Sequence, residues 1–292
     1  MKLAIDSVVP FLCFGNEKMV EMIRDAGFDA MDYSFYDVPE HRSVLGEDYR
    51  EKALRLREVL DRCGLLCNQA HAPHNMTDGE PLDLSSKKYR EIIRSLEFAA
   101  VLGAKNIIVH CIKRPADGSD LFRSNYRFYK SLEPFCKEYK IRVAVENLWV
   151  RDNKRNCFKG VFGTPAELTR MVELLDSEWF TACLDLGHAA LAGLEPEEFI
   201  SGMSKDVLGC LHVHDTDYLS DTHTIPFHGG HNWDAICQAL AQIRYEGDFN
   251  LEVLRYLGNY PPELLPEALA HAEKVGRYLI DKIEKAKQPS AQ

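Results

Sequence analysis

The sequence has no long hydrophobic run, and this absence disfavours a membrane-spanning protein. None of its 292 residues form the 18 or so uninterrupted apolar positions that a membrane-spanning helix requires. The N-terminal segment MKLAIDSVVPFLCFG resembles a signal peptide only faintly, because Asp6 and Pro10 interrupt its apolar run. We therefore predict a cytoplasmic protein with no membrane partner.

Cysteine-based metal motifs and an excess of positive charge are also missing. The nine cysteines are scattered, and Cys63 and Cys67 stand four residues apart, which fits neither a CxxC redox pair nor a zinc knuckle. Most cysteines are predicted to be small core residues. The formal net charge of -10 disfavours a nucleic acid partner, since gripping phosphates requires Lys and Arg. A local basic groove is still compatible with this charge.

Apolar strand patterns and amphipathic helix patterns alternate along the whole chain, which is typical of parallel strands with helical crossovers. The predicted strands cover residues 2–9, 29–35, 65–73, 104–111, 142–148, 181–186, 208–216 and 248–254. Eight strand-helix units predict an α/β fold, namely a (β/α)8 TIM barrel. Residues 1–292 are predicted to form it as a single domain, with a long C-terminal helix over 262–285. A doubly wound open sheet is the rival, but no GxGxxG or Walker A pattern follows any strand.

Ionisable side chains stand at the ends of six predicted strands. They are His71, His110, Glu146, Asp185, His214 and Glu252. In a barrel of this kind the C-terminal ends of the strands form the active site. Carboxylates and imidazoles at the ends of apolar strands are costly to desolvate unless they are paired or bind a cation. Three carboxylates and three histidines around one axis therefore predict a divalent metal site.

The strength of this inference differs among the residues. A single histidine after a strand is often a hydrogen-bonding loop residue, and this alternative applies to His71 and His110 taken alone. A lone acid in an apolar strand is poorly tolerated, which favours a functional role for Glu146, Asp185 and Glu252.

Other polar residues near the predicted site have less definite roles. His212 and His214 share one face of their strand, and we assign His214, nearer the strand end, as the ligand and His212 to a supporting position. His188 follows Asp185 by three residues, where strand becomes helix, so it could bind substrate or a second metal. Asp221 and His223 lie in a loop rich in Gly and His, which is either part of the site or merely solvated.

Several motifs occur in a fixed order along the chain. They are HAP at 71–73, IIVHC at 107–111, VAVEN at 143–147, CLDLGHAALAG at 183–193, HVHDTD at 212–217, DTHTIPFHGGHNWDAI at 221–236 and LEV at 251–253. Together they resemble the sugar phosphate isomerase/epimerase family of xylose isomerase-like TIM barrels.

This resemblance implies a metal-dependent sugar or sugar-phosphate isomerase or epimerase. The metal site of the family falls on Glu146, Asp185, His214 and Glu252, and the implied ion is Mn2+, Zn2+, Mg2+ or Co2+. Glu146 and Glu252 are implied as the catalytic pair, one glutamate removing a proton next to a metal-chelated carbonyl and the other returning it. The partner is a small-molecule sugar or sugar phosphate, and a homo-oligomer is compatible with the sequence.

The chain also resembles the related endonuclease IV class of zinc-dependent abasic-site phosphodiesterases. The counterparts of its nine ligands to three zinc ions are His71, His110, Glu146, Asp185, His188, His214, Asp221, His223 and Glu252. The acidic balance and the LDLGHAALAG segment favour the sugar-enzyme branch. In that branch the five residues outside the four-ligand set, His71, His110, His188, Asp221 and His223, are expected to bind a second metal or the substrate.

One departure keeps the reaction open. Ketose 3-epimerases carry HxHxGE followed by an arginine, whereas here HVHDTD leads to Ser220 with no arginine nearby. Another epimerase, an isomerase and an inosose dehydratase-like lyase all fit. A catalytically silent metal-binding barrel is disfavoured because both glutamates are present. Arg151, Lys154 and Arg155, in the loop after the fifth strand, either contact a phosphate or are solvated.

Overall fold

The computed structural model describes residues 1–35, 43–74, 83–113, 120–154 and 156–288. Eight parallel strands form its central sheet: β1 (Leu3–Asp6), β2 (Ala30–Ser34), β3 (Leu66–His71), β4 (Asn106–Ile108), β5 (Arg142–Glu146), β8 (Phe180–Asp185), β9 (Leu208–His212) and β10 (Phe249–Leu251). A short antiparallel hairpin, β6 (Trp149–Arg151) and β7 (Cys157–Lys159), follows β5. The eight parallel strands confirm the predicted barrel.

The strand order is β10-β1-β2-β3-β4-β5-β8-β9, and its two outer strands approach each other. Val213 N donates a hydrogen bond to Asn250 O at 2.8 Å, and Glu252 N donates to Val213 O at 3.0 Å. These two bonds bring β9 against β10, so that the sheet curves into a barrel whose strand ends all point to one mouth.

Helices follow the strands on the outside of the barrel. They are α1 (Val8–Asp25), α2 (Tyr49–Cys63), α3 (Lys87–Leu102), α4 (Leu121–Tyr139), α5 (Pro165–Leu175), α6 (Leu186–Leu191), α7 (Pro196–Ser201), α8 (Trp233–Gln242), α9 (Leu254–Gly258) and α10 (Leu265–Lys287). Within the described residues, no helix is both long enough and apolar enough to cross a membrane.

Some predicted boundaries were wrong. The first strand ends at Asp6 rather than residue 9, and α1 already begins at Val8, with a break at Gly15 where φ is 74°. The final helix begins at Leu265 after a short 3-10 turn. The hairpin was not predicted, because its strands are three residues long and flank a polar turn.

Local sequence signals set several other helix ends. The Ser86 side chain accepts a hydrogen bond from Tyr89 N and begins α3, while the Thr164 hydroxyl accepts from Glu167 N before α5. Gly64 and Gly103 end α2 and α3 in the left-handed conformation. These signals set where α3 and α5 begin and where α2 and α3 end.

The main apolar core lies between the barrel and its helices, whereas the inside of the barrel is lined by small and polar groups. The inner apolar cluster consists of Ile108, Ala144, Cys183 and Cys210. Buried polar side chains share this interior, among them Asp32, Gln69, Asn106 and Asn250. All nine cysteines are free and six are buried, as predicted for small core residues.

Candidate active site

Four polar side chains meet at the mouth because parallel strands end there. Glu146 ends β5, Asp185 ends β8, His212 ends β9, and Glu252 follows β10. All four are buried, with at most 9% of each residue exposed. The predicted convergence of the two glutamates and Asp185 is therefore present in the structure.

His212, and not His214, lies among the three carboxylates. Its Nδ1 atom is 2.6 Å from Glu146 Oε1, 3.3 Å from Glu252 Oε2 and 3.9 Å from Asp185 Oδ2. His214 was the residue predicted for this position. Strand β9 ends at His212, so His214 leaves the alternation of the strand, and its Nε2 atom lies 3.0 Å from Asp185 Oδ1.

Burial and charge pairing shift the pKa values of the two glutamates in opposite directions. Burial would raise the pKa of Glu146, but the His212 and His110 imidazoles outweigh it and hold that pKa well below its usual range. Burial, with the Asp185 and Glu146 carboxylates nearby, raises the pKa of Glu252 to about 8. The mixed oxygen and nitrogen donor set of three carboxylates and one imidazole fits Mn2+, Zn2+, Co2+ or Mg2+.

Paired hydrogen bonds fix Asp185. Asp185 N donates to Asn147 Oδ1 at 2.8 Å, and Asn147 Nδ2 donates to Asp185 O at 3.0 Å, which joins the ends of β5 and β8. The Asp185 carboxylate also accepts a hydrogen bond from His188 N at 2.6 Å and so caps α6. The DLGH segment therefore places Asp185 and His188 through one local turn.

A second group contains His71 and His110. His71 Nδ1 donates to Ala72 O at 2.7 Å, which leaves a lone pair on Nε2, 3.1 Å from His110 Nε2. His110 Nε2 in turn lies 2.7 Å from Glu146 Oε2. Burial lowers the pKa of His71 to about 3, so this imidazole is neutral at neutral pH. His74, which we did not predict, stacks on His110 with ring centroids 4.4 Å apart.

A third group contains the remaining predicted residues. Asp221 Oδ2 lies 3.5 Å from His188 Nε2 and 3.1 Å from His223 Nε2. The His188 Nδ1 atom donates to Asn147 O at 2.9 Å. His214 stacks on His223 with ring centroids 4.1 Å apart. The structure thus brings all nine predicted site residues to one mouth, in three neighbouring groups.

Asp215 organises the loop that carries Asp221 and His223. Its fully buried carboxylate accepts hydrogen bonds from the backbone N–H groups of Thr216, Phe227 and His231 and from Trp233 Nε1, at 2.8 to 3.1 Å. The loop also has a bridge between Asp215 and the backbone of residue 224. One carboxylate therefore holds both ends of the loop.

Asp32 is a residue of this region that we did not predict. It lies on β2, is 1% exposed, and its Oδ2 accepts hydrogen bonds from Gln69 Nε2 at 2.7 Å and Asn250 Nδ2 at 3.0 Å. The same oxygen is 3.5 Å from His212 Nε2. A signal was present, because Asp32 is an acid in the middle of a predicted strand, as Glu146 is.

The mouth encloses a cavity of about 390 Å³ between these groups. Trp149 and Arg151 of the hairpin and Lys113 also contribute to its wall. Lys154 is exposed in the hairpin turn, and Arg155 lies outside the described residues. Of the three predicted cations after β5, the structure thus places Arg151 beside the site.

Residues 20–275 match the family model described as the xylose isomerase-like TIM barrel. The chain belongs to this family. A relative, uncharacterized protein y4fM of Sinorhizobium fredii, is 30% identical over 268 residues, which cover 82% of this chain and 81% of y4fM. Uncharacterized protein MJ1311 of Methanocaldococcus jannaschii is 26% identical over 263 residues, and the match covers 86% of this chain and 83% of MJ1311.

Solved structures with the same family fold include three informative examples. A D-tagatose 3-epimerase-like protein has a TM-score of 0.74 at 20% identity, covering 98% and 99% of the two chains. The IolI protein with a bound zinc atom has a TM-score of 0.68 at 17% identity, covering 98% and 99%. The 3-keto-D-glucoside 4-epimerase YcjR from E. coli has a TM-score of 0.68 at 17% identity, covering 94% and 99%. At these identities the likeness concerns the fold.

Proposed function

We propose that the protein is a metal-dependent sugar or sugar-phosphate isomerase or epimerase. The observation that carries this proposal is the buried set of Glu146, Asp185, His212 and Glu252 at the C-terminal mouth of the barrel. Sugar epimerases among the solved structures of the same fold support it. An inosose dehydratase-like lyase would use the same carbon-proton chemistry and is an outcome of the substrate test.

His212 replaces His214 in the proposed ligand set. Glu146, Asp185, His212 and Glu252 would hold one divalent ion, with His212 contributing Nδ1. When bound, such an ion polarises a substrate carbonyl and makes the neighbouring carbon-bound proton more acidic. The IolI structure with zinc supports a metal in this fold. Asp32, next to His212 Nε2, orients the ring so that Nδ1 faces the carboxylates.

Glu146 and Glu252 move the proton in this proposal. They come from β5 and from the end of β10, three positions apart around the barrel, and thus approach a bound sugar from different sides. One carboxylate accepts the proton from carbon, and the other carboxyl group donates a proton. Delivery to the opposite face of the same carbon gives an epimer, whereas delivery to the neighbouring carbon gives an isomer.

Solvent exchange tests this proposal. Protein loaded with Mn2+ is incubated with a panel of sugars and sugar phosphates in deuterated water, and incorporation of deuterium at carbon is followed by mass spectrometry. We expect exchange with at least one compound and its loss, by about 100-fold or more, in Glu146→Gln and Glu252→Gln. Glu138→Gln, on the outer surface of α4, is the matched control. Rates like those of the wild type in either active-site variant would remove that glutamate from the mechanism.

A second candidate function, abasic-site phosphodiester hydrolysis, is supported by a separate observation. Groups that could hold an ion include His71, His74 and His110; Glu146, Asp185 and His188; and His188, Asp221 and His223, of which the last two share His188. Elemental analysis of protein purified without chelator separates the two functions. About one ion per chain agrees with the sugar enzyme, whereas three zinc ions together with incision of abasic DNA would favour the nuclease.

A further inference from the structure

A second cavity of about 640 Å³ lies beside the 390 Å³ cavity of the candidate active site. We call them the outer and inner pockets. The outer pocket is formed by the hairpin β6–β7, the end of α6 and the loop after β9. Each is within the range of about 300–1,000 Å³ that is usual for small-molecule sites. The inner pocket alone is therefore large enough for a single sugar.

The same three segments form both pockets. Arg151 of the hairpin lines both of them. In α6, His188 faces the inner pocket while Leu191, one helical turn later, lines the outer one. In the loop, Asp221 faces the inner pocket while the preceding Ser220 lines the outer one. Arg151 therefore lies at the border of both pockets, and a ligand that fills both must pass its side chain.

Direct contacts fix the boundary between the pockets. Arg151 Nη2 donates a hydrogen bond to Leu219 O at 2.8 Å, and Cys157 Sγ donates to the same oxygen at 3.5 Å. The Arg151 guanidinium also lies over the Trp149 ring, 5.1 Å from its centroid. The hairpin is thus bound to the loop across the barrel mouth, and the Arg151 side chain forms the wall between the two pockets.

The chemistry of the outer pocket suits a neutral polyhydroxylated ring. Leu191 and Leu219 give it apolar surface, which matches the C–H faces of a sugar. Arg151, Asn156 and Ser220 give hydrogen-bonding groups at its edges. Asn156 Nδ2 donates a hydrogen bond to the Asp152 carboxylate, which leaves the side-chain oxygen of Asn156 as an acceptor. Among the described residues Arg151 is the one cation that lines the pocket, whereas a phosphate site would call for more.

We propose that the outer pocket binds the second ring of a glycoside whose first sugar lies at the carboxylates. This inference rests on the proposed function and specifies its substrate class as disaccharides and related glycosides, in preference to free monosaccharides. Leu219 is 73% exposed and would become covered by the second ring. Arg151 and Ser220 would bind its hydroxyl groups and so determine specificity.

Isothermal titration calorimetry on Mn2+-loaded protein tests the inference with matched probes: D-glucose against cellobiose, D-galactose against lactose, and D-fructose against turanose. We expect at least one disaccharide to bind about tenfold or more tightly than its monosaccharide. Ser220→Trp, which places an indole in the outer pocket, should remove that advantage, and Arg151→Ala should reduce it. Leu174→Trp, exposed on α5, is the matched control and should leave the advantage intact.

The inference is overturned if no disaccharide binds more tightly than its monosaccharide, if no probe binds, or if the advantage survives both outer-pocket variants. Two independent variants are used so that a folding defect in one does not decide the result. Failure of the proposed function looks different. A disaccharide advantage without any deuterium exchange at carbon would support the outer pocket and reject the isomerase or epimerase chemistry.

Discussion

Replacing Gly187 by alanine should destabilise the protein through a specific clash. Gly187 lies in the first turn of α6, two residues after Asp185. A Cβ atom there would lie 2.0 Å from Cε1 and 2.6 Å from Nε2 of His214, and 2.7 Å from Thr216 Cγ2. Carbon atoms in favourable contact are about 3.5–4.0 Å apart. The His214 ring, fully buried and 3.0 Å from Asp185, would therefore have to move by more than 1 Å.

The size of the effect follows from two opposing contributions. Overpacking a buried site costs about 1–3 kcal/mol. Alanine stabilises a helix relative to glycine by about 0.5–1 kcal/mol, and less in the first turn. The clash is the larger contribution, so we expect Gly187→Ala to lower the free energy of unfolding by about 1–2 kcal/mol.

Urea unfolding of the metal-free protein measures this change. Gly258→Ala in α9 is the matched control, because its Cβ would approach only Val9 Cγ2, at 3.9 Å. The control should be neutral or slightly stabilising. In a His214→Ala background the cost of Gly187→Ala should fall, since the ring is gone, but part of it should remain because Thr216 Cγ2 still lies 2.7 Å from the added Cβ. A Gly187→Ala protein as stable as the control would refute the reasoning.

Three further predictions concern the ligand shell and the C-terminal helix. By calorimetry, His212→Gln should lower Mn2+ affinity more than about 100-fold and His214→Gln less than tenfold; equal losses would contradict our assignment. Asp32→Asn should lower Mn2+ affinity about 10–100-fold without changing the far-ultraviolet circular dichroism spectrum, and unchanged affinity would remove its orienting role. Hydrogen bonds from Arg277 lower the pKa of the Asp29 carboxyl from its usual 3.8, so the ion pair stabilises the folded protein above that pH. This stabilisation is lost as the pH falls through the lowered pKa. Arg277→Gln should therefore lower the free energy of unfolding by about 1 kcal/mol at pH 7. Thermal melting should show that this difference from the wild type shrinks below pH 4, and a difference that grows there would contradict the reasoning.

The architecture was predictable because it depends on patterns that are local. Apolar strands, amphipathic helices and caps such as Ser86 and Thr164 recur often enough to define eight units. Parallel strands then bring their ends to one mouth, so Glu146, Asp185 and Glu252 could be grouped without knowing any distance. The hairpin after β5 gave no comparable signal, because its pairs are few and exposed.

Periodicity could not predict which of His212 and His214 lies among the three carboxylates. Both fall on one face of an ideal strand, but β9 ends at His212 and pairs with β8 through a register shift between Ala182 and Cys183. Where a strand ends in a barrel is decided by its neighbours, here by the bridge between Val213 and Leu251. The choice of histidine is therefore a tertiary property.

The attachment of the loop to Asp215 has a consequence for how such an enzyme can diversify. The carboxylate holds residues 216, 227, 231 and 233, and the bridge to residue 224 closes the inner part of the loop. The tip at 217–220 lies outside these ties, yet it forms one side of the outer pocket. Changes of residue or of length at the tip would therefore alter the wall of the outer pocket and leave the hydrogen bonds to the Asp215 carboxylate in place. Under the proposed function, the residues that select the substrate and those that move the proton could thus change separately in evolution.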